Sequence, residues 1–253
     1  MIEIEANVNT GRVGMTPTSA GGAIPIPPDF DAADVDLLRR VGSFTMTSPE
    51  RLFALRRAVE YVVENEIPGD IVECGVWRGG SMMAVALTLL RLNARPRRLF
   101  LFDTFQGMTP PGDQDRSYRN ESASALLAGA DPRTSQVWGV AGLENVKSAM
   151  RSTGYDEDRL IFVAGKVEET LPAAAPEKIA LLRLDTDWYE STYHELVCLY
   201  PRLTVGGVLI IDDYGHWQGA RQAVDQYIKE NQLKLLLNRI DYTGRMAVKV
   251  EDG

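Results

Sequence analysis

DIVECGVWRGGSMMAVALTLLRL, residues 70–92, joins two different patterns across a glycine-rich turn. DIVECG reads as a short buried strand and SMMAVALTLLRL as a helix. Gly75 permits a tight exit from the strand, and Gly79 and Gly80 permit close backbone approach where the helix starts. The same unit recurs downstream. RRLFLFD is a strand, LIFVAG is a strand before a short helix opening at KVEETLP, and IALLRLD is a strand before the helix YESTYHELVCLY, which Pro201 stops. VLIIDD is a further strand, followed by the helix GARQAVDQYIKE, and KLLLNRI with MAVKV reads as a closing antiparallel pair. Continuous apolar strands alternating with helices predict an α/β, Rossmann-like fold with a central, mostly parallel seven-stranded sheet and helices on both faces.

Upstream, residues 1–30 are rich in Gly, Pro and small residues and read as an extended arm. A short helix is expected from Ala32 to Val41. In SPERLFALRRAVEYVVEN, Ser48 stands as N-cap, Pro49 takes the first helical position, and Leu52, Leu55, Val59 and Val62 recur at helical spacing; Pro68-Gly69 closes the segment. The expected organisation is an arm with its short helix over 1–43, making oligomer or substrate contacts, and one domain over 44–253. Within the domain, the polar stretch from Thr104 to about Gln136 and the helix around Leu143–Met150 form an insertion at about 106–157, read as a lid over the site.

The 253 residues carry a formal charge of −8, with 45% hydrophobic and 25% charged residues. That balance fits a globular protein and argues against nucleic acid or an anionic membrane as partner. Cys74 and Cys198 cannot build a disulfide framework and read as buried thiols. There is no apolar run of membrane-spanning length, and no basic start followed by an apolar core at the N-terminus, so a cytoplasmic protein is expected.

In parallel sheets, ligands bind beyond the carboxyl ends of the strands. The turn after the first strand has GxxxGG spacing rather than the GxGxxG of a dinucleotide site, and Glu73 precedes it. An acid there repels a pyrophosphate and suits a cationic or hydroxyl-bearing ligand such as the amino-acid end of S-adenosylmethionine. Asp103, ending the next strand, can accept from both ribose hydroxyls; the plainer reading has Glu73 capping a turn and Asp103 starting a loop. Asp185 and Asp212 end two strands expected to be neighbours, about 4.8 Å apart. Converging carboxylates need a counter-charge, and an oxygen-only set points to Mg²⁺. Zinc fits poorly, because His194 and His216 are the only histidines and no Cys/His spacing matches. Asp187 and Asp213 are either further ligands or helix N-caps. Such a metal would acidify a sugar hydroxyl, with Asp185 placed to take the proton.

TMTSPERL with Thr45 and Met46, DIVECGVWRGGSM, LFDTFQGM, FVAGKVEETLP, LLRLDTDWYEST and YPRLTVGGVLIIDDY together resemble the macrocin O-methyltransferase (TylF) family, over about residues 44–230. The resemblance implies a class I S-adenosylmethionine-dependent methyltransferase acting on sugar or aromatic hydroxyls of antibiotics. It implies Mg²⁺ on Asp185, Asp212 and Asp213, with Asp185 as general base. The donor is expected against Glu73, Gly75, Trp77, Arg78, Gly79, Ser81 and Asp103, with adenine near Gly165 and Lys166; Thr45 and Met46 fall where the family contacts cofactor or acceptor. Homo-oligomers with shared N-terminal segments are expected, and the acceptor is a glycosylated or phenolic small molecule. The arm and the stretch Asp113–Gln136 depart from the family pattern where the acceptor pocket would be shaped. His216-Trp217 reads as a substrate wall or a packed turn. The rivals are a catechol-type acceptor, a nicotinamide-dependent oxidoreductase, disfavoured by Glu73 and the glycine spacing, and an idle donor-binding scaffold, disfavoured by the Asp185/Asp212 pair.

Overall fold

Side chains of successive strand residues point to opposite faces, and this alternation sorts the core into two layers. The computed structural model describes residues 26–94, 97–132 and 134–251; residues 1–25 of the expected arm lie outside the described residues. The strands are β1 Asp70–Cys74, β2 Leu99–Asp103, β3 Leu160–Ala164, β4 Ile179–Leu184, β5 Leu203–Ile211, β6 Asn238–Arg239 and β7 Arg245–Val248. They form one seven-stranded sheet in the order β3-β2-β1-β4-β5-β7-β6. β1 to β5 are mutually parallel, and β7 runs antiparallel to both β5 and β6. The chain reverses its direction of travel across the sheet between β1 and β4, which makes their carboxyl ends the topological switch point.

Ile71, Leu101, Leu181 and Ile210 face one layer, made by α1 Ala32–Val41, α2 Pro49–Glu64, α3 Gly80–Arg91 and α5 Leu143–Arg151. Val72, Phe102, Leu182 and Ile211 face the other, made by α6 Val167–Thr170, α7 Tyr189–Leu199 and α8 Gln218–Glu230. Ser48 caps α2, its side chain accepting from Arg51 N at 3.2 Å, with Pro49 at the start of the helix. The closing hairpin is shorter than expected. β6 has only two residues, because Leu235 and Leu237 pack against the core instead of extending the ladder.

The insertion after β2 is likewise shorter than 106–157. α5 buries Val146, Ala149 and Met150 in the main core beside α3, so the insertion is confined to residues 104–142, with the short helix α4 Ala123–Ala128 and with Phe105 and Ala141 near its two ends buried in that same core. That stretch is fastened down. Asp115, 1% exposed, accepts from Gly112 N at 2.7 Å and from Tyr189 N, at the start of α7, at 2.8 Å. A Cβ at Gly219 would stand 1.9 Å from the Asp115 carboxylate, so α8 approaches this anchor only because residue 219 has no side chain. Trp188 and Trp217 pack under the insertion with Ala123 and Leu127, and Trp188 Nε1 donates to Thr109 O at 2.9 Å.

Asp115→Ala leaves Tyr189 N without its acceptor, at a cost of about 1–3 kcal/mol. Chemical denaturation should register that loss, and limited proteolysis should cleave within residues 104–142 faster than in the parent; unchanged cleavage would show that the anchor does not hold the insertion.

Candidate functional site

Backbone bonds carry the sheet one residue past the strands and line their ends up in a row. Gly165 N donates to Asp103 O at 3.0 Å, Gly75 N to Phe102 O, Asp185 N to Cys74 O and Asp212 N to Leu184 O, the last three each at 2.9 Å. Gly75 has φ +82°, and a Cβ there would lie 1.9 Å from Asp185 O. The glycine is therefore required both for its left-handed conformation and for the contact between the β1 and β4 exits.

A cavity opens on this row. Gly75, Trp77, Asp103, Gly165 and Lys166 line it from the strand ends, Met46 and Asp185 close one end, and Met108, Thr109 and Gly139 bring the insertion over it. Asp103 faces the cavity while its carboxylate accepts from Val76 N (2.7 Å), Trp77 N (2.9 Å) and Phe105 N (2.7 Å), fixing the glycine turn to the end of β2. Not every expected donor contact lines this space. Glu73 is 1% exposed and faces Arg183 in the core. Gly79 is the left-handed N-cap of α3, packed under Val146 and Met150. Arg78 lies 4.6 Å from the centroid of the Trp77 ring, outside the cavity. Thr45 and Ser81, with Met46 and Trp77, line a second cavity beside the first.

Both cavities reach Asp185 and Asp187. Asp185, Asp187 and Asp213 each bring a carboxylate oxygen within 4.8 Å of the others. Neither Asp187 nor Asp213 is a helix N-cap: α7 and α8 are capped by Trp188 and Trp217. β4 ends at Leu184, and Asp187 reaches the cluster through a left-handed turn with φ +70° rather than along an extended strand. The chain bends directly after β5, sending Asp212 and Asp213 different ways. Asp213 joins the cluster, with one buried carboxylate oxygen lacking a hydrogen-bond donor among the described residues. The side chain of Asp212, expected with Asp185 and Asp213, is instead held by Arg51 and Arg183.

Arg183 organises these acids. Its Nη1 donates to Glu73 Oε1 at 2.6 Å and to Asp185 Oδ2 at 2.7 Å; its Nη2 donates to Asp212 and, at 3.2 Å, to Thr47 Oγ1. Arg51 links Asp212 to Asp241, at 3.0 Å from the latter. Burial pushes Asp185 and Asp213 well above the carboxylate range and Asp187 to about 7. Burial also raises Glu73 to about 7, against the pull of Arg183. Asp212 is buried too, but Arg183 and Arg51 outweigh that and hold it low. An orphaned buried oxygen, hard oxygen donors and carboxylates driven toward protonation are the features that a divalent cation would satisfy. Sequence reasoning did not single out Arg183, although one charge inside the apolar run IALLRLD was a usable signal. Arg51 and Asp115 offered none.

The macrocin-O-methyltransferase (TylF) family model matches residues 32–248. The chain is 36% identical over 200 residues to demethyldecarbamoylnovobiocin O-methyltransferase of Streptomyces niveus, covering 79% of this chain and 73% of that one. It is 32% identical over 221 residues to mycinamicin III 3''-O-methyltransferase of Micromonospora griseorubida, covering 85% and 84%. Among solved structures, the O-methyltransferase NovP superposes with TM-score 0.72 at 32% identity, over 85% of this chain and 88% of that one.

The acid cluster carries a pH signature. Asp187 and Glu73 titrate near 7 when folded, against about 4 when unfolded. Their contribution to stability is complete below pH ~4 and is lost as pH rises to about 7, because the unfolded chain releases its protons first. In chelator the melting temperature should fall over that range, less steeply in Asp187→Asn, and added Mg²⁺ should stabilise more at pH 8 than at pH 5. A melting temperature indifferent to pH and to Mg²⁺ would refute the cluster's proposed protonation.

Proposed function

The chain belongs to the macrocin O-methyltransferase (TylF) family, and on that premise we propose that it transfers a methyl group from S-adenosylmethionine to a hydroxyl on the sugar of a glycosylated natural product. The observation that carries this reading is the junction of two cavities at Asp185 and Asp187. The cavity over Gly75, Asp103, Gly165 and Lys166 suits a nucleoside donor, and the one beside Arg51, His216 and Trp217 suits the acceptor. The donor supplies a methyl group on a cationic sulfur, so the transfer needs a deprotonated or deprotonating oxygen in line with it.

Asp185 and Asp213 are common to the metal set implied by the family resemblance and to the cluster that the fold assembles. Asp187 stands as the third carboxylate, with Asp212 adjoining through Arg183. A divalent cation bound there, most naturally Mg²⁺, would lower the pKa of an acceptor hydroxyl. Asp185, its Oδ2 held by Arg183 Nη1 at 2.7 Å, would be the residue that takes the hydroxyl proton. Trp77 and Met46 border both cavities and set the separation of donor and acceptor. The insertion over residues 104–142 covers the donor side and limits water there. Residues 1–43 as an oligomer arm belong to the same proposal.

Calorimetric titration of chelator-treated protein should show S-adenosylhomocysteine binding, no NAD binding, and then a Mg²⁺ site. With labelled donor and a panel of glycosides and phenols, transfer should require the metal and favour the glycosides. Asp185→Asn should lower turnover by about 10²-fold or more with donor affinity retained. Undiminished turnover in that variant would remove Asp185 from the mechanism, and binding of NAD instead of S-adenosylhomocysteine would end the methyltransferase proposal.

A further inference from the structure

With one exception, every buried carboxylate among the described residues is met by a strong donor. Asp34, Glu60, Glu73 and Asp212 each pair with an arginine, and Asp115 accepts from two backbone N–H groups. Glu195 is the exception. It lies in α7 at 0% exposure, and its one partner is the Thr186 hydroxyl, 2.9 Å from Oε1; Oε2 has no hydrogen-bond donor among the described residues. α7 otherwise sends Leu196 and Leu199 into this core layer. An apolar side chain at 195 would pack there without the desolvation that a half-satisfied carboxyl suffers.

What the acid supplies is a hold on one turn. Thr186 stands between Asp185 and Asp187, two of the three acids in the cluster, and lines the donor cavity. Its carbonyl accepts from Trp188 N at 2.8 Å, directly after the left-handed Asp187. Along β4, Leu182 and Leu184 face the α7 layer, and Arg183, alternating with them, faces the other. The turn is thus gripped from both faces of the sheet. Arg183 holds the Asp185 carboxylate from one side, and Glu195 holds Thr186, and with it the backbone that carries both acids, from the other.

Burial raises Glu195 well above the carboxylate range although the Thr186 hydroxyl pulls the other way, and the charges of Glu168, Asp185 and Asp213 raise it further. The neutral acid is the form that this surrounding favours, and glutamine is its nearest mimic.

We infer that Glu195 is a positioning residue for the methyl-transfer site: through Thr186 it sets the turn that aims Asp185 and Asp187 at a shared cation. Glu195 lines neither cavity and acts only through that hydroxyl. This rests on the proposed cation and deepens it, by naming the residue that fixes the spacing of its ligands.

The test compares the full chain, loaded with S-adenosylhomocysteine, with Glu195→Leu, Glu195→Gln and Thr186→Val. Calorimetric Mg²⁺ affinity should fall about tenfold or more in Glu195→Leu, while its melting temperature stays level or rises and its S-adenosylhomocysteine affinity holds. Glu195→Gln should stay within about twofold of the parent. Thr186→Val removes the same bond without changing core volume, so it should match Glu195→Leu and carries the test alone if that variant does not fold. Glu195→Leu/Thr186→Val should weaken Mg²⁺ no further than either change, because both break one bond. Without metal, hydrogen exchange at Trp188 N should quicken in Glu195→Leu and Thr186→Val but not in Glu195→Gln, a split that a packing role would not produce. Parental Mg²⁺ affinity in both bond-breaking variants, equal losses in Glu195→Leu and Glu195→Gln, additive losses in the double variant, or unchanged exchange would each overturn the inference. A parent that takes up no Mg²⁺ while the exchange difference persists would instead refute the cation and leave the tether standing.

Discussion

One buried guanidinium sets the geometry of the site. Arg183 lies next to the end of β4, the one charge among the strand's apolar residues, with its side chain 4% exposed, and three carboxylates from three strands converge on it. Burying a charge this deeply is costly, and the planar fork of arginine offsets the cost by meeting several partners at once. Glu73 from β1, Asp185 beyond β4 and Asp212 beyond β5 are thereby fixed relative to one another. Removing the arginine would strand buried carboxylates, so the pairing is as much a constraint on the strand ends as a source of stability.

The two cavities follow from where those strands stop. Gly75 lets β1 leave the sheet in contact with Asp185 O, which brings the glycine turn and the acid cluster together. Asp103 then fastens the same turn from the β2 side through three backbone donors. Trp77, held between these anchors at φ +47°, is left facing both cavities. The two cavities therefore share Asp185 and Asp187 together with Met46 and Trp77, and that convergence is a property of the backbone before any ligand arrives.

Much of this was legible in the sequence because it rests on local pattern. The continuous apolar runs in DIVECG, RRLFLFD, LIFVAG, IALLRLD and VLIIDD mark the five parallel strands, and Ser48-Pro49 marks the start of α2 to the residue. Asp185, Gly75 and Asp103 are expected at one edge because parallel topology brings strand ends together, whereas Gly165 and Lys166 come only from the family resemblance; all five line one cavity. What escaped was long-range side-chain choice. Asp212 and Asp213 are adjacent and chemically identical, and only the arginines folded against one of them separate their surroundings. Asp115 and Gly219 are 104 positions apart in the numbering and looked unrelated; a bare α-carbon in α8 is nonetheless what admits the anchor of the insertion. The two residues of β6 were overestimated because leucines that read as a strand were needed in the core.

Asp187 shows how backbone and chemistry are met by one residue type. Its left-handed φ of +70° turns the chain out of β4 and toward α7 within a few residues. Glycine would take that conformation with least strain, and most other residues would pay about 1–2 kcal/mol for it. Aspartate is among the few that tolerate it, and it alone of those also adds an ionisable carboxylate facing Asp185 and Asp213. The turn that ends the strand is thus the same feature that completes the acid cluster. A glycine there would keep the fold and lose the third carboxylate, whereas a glutamate would keep the charge but strain the turn that aims it.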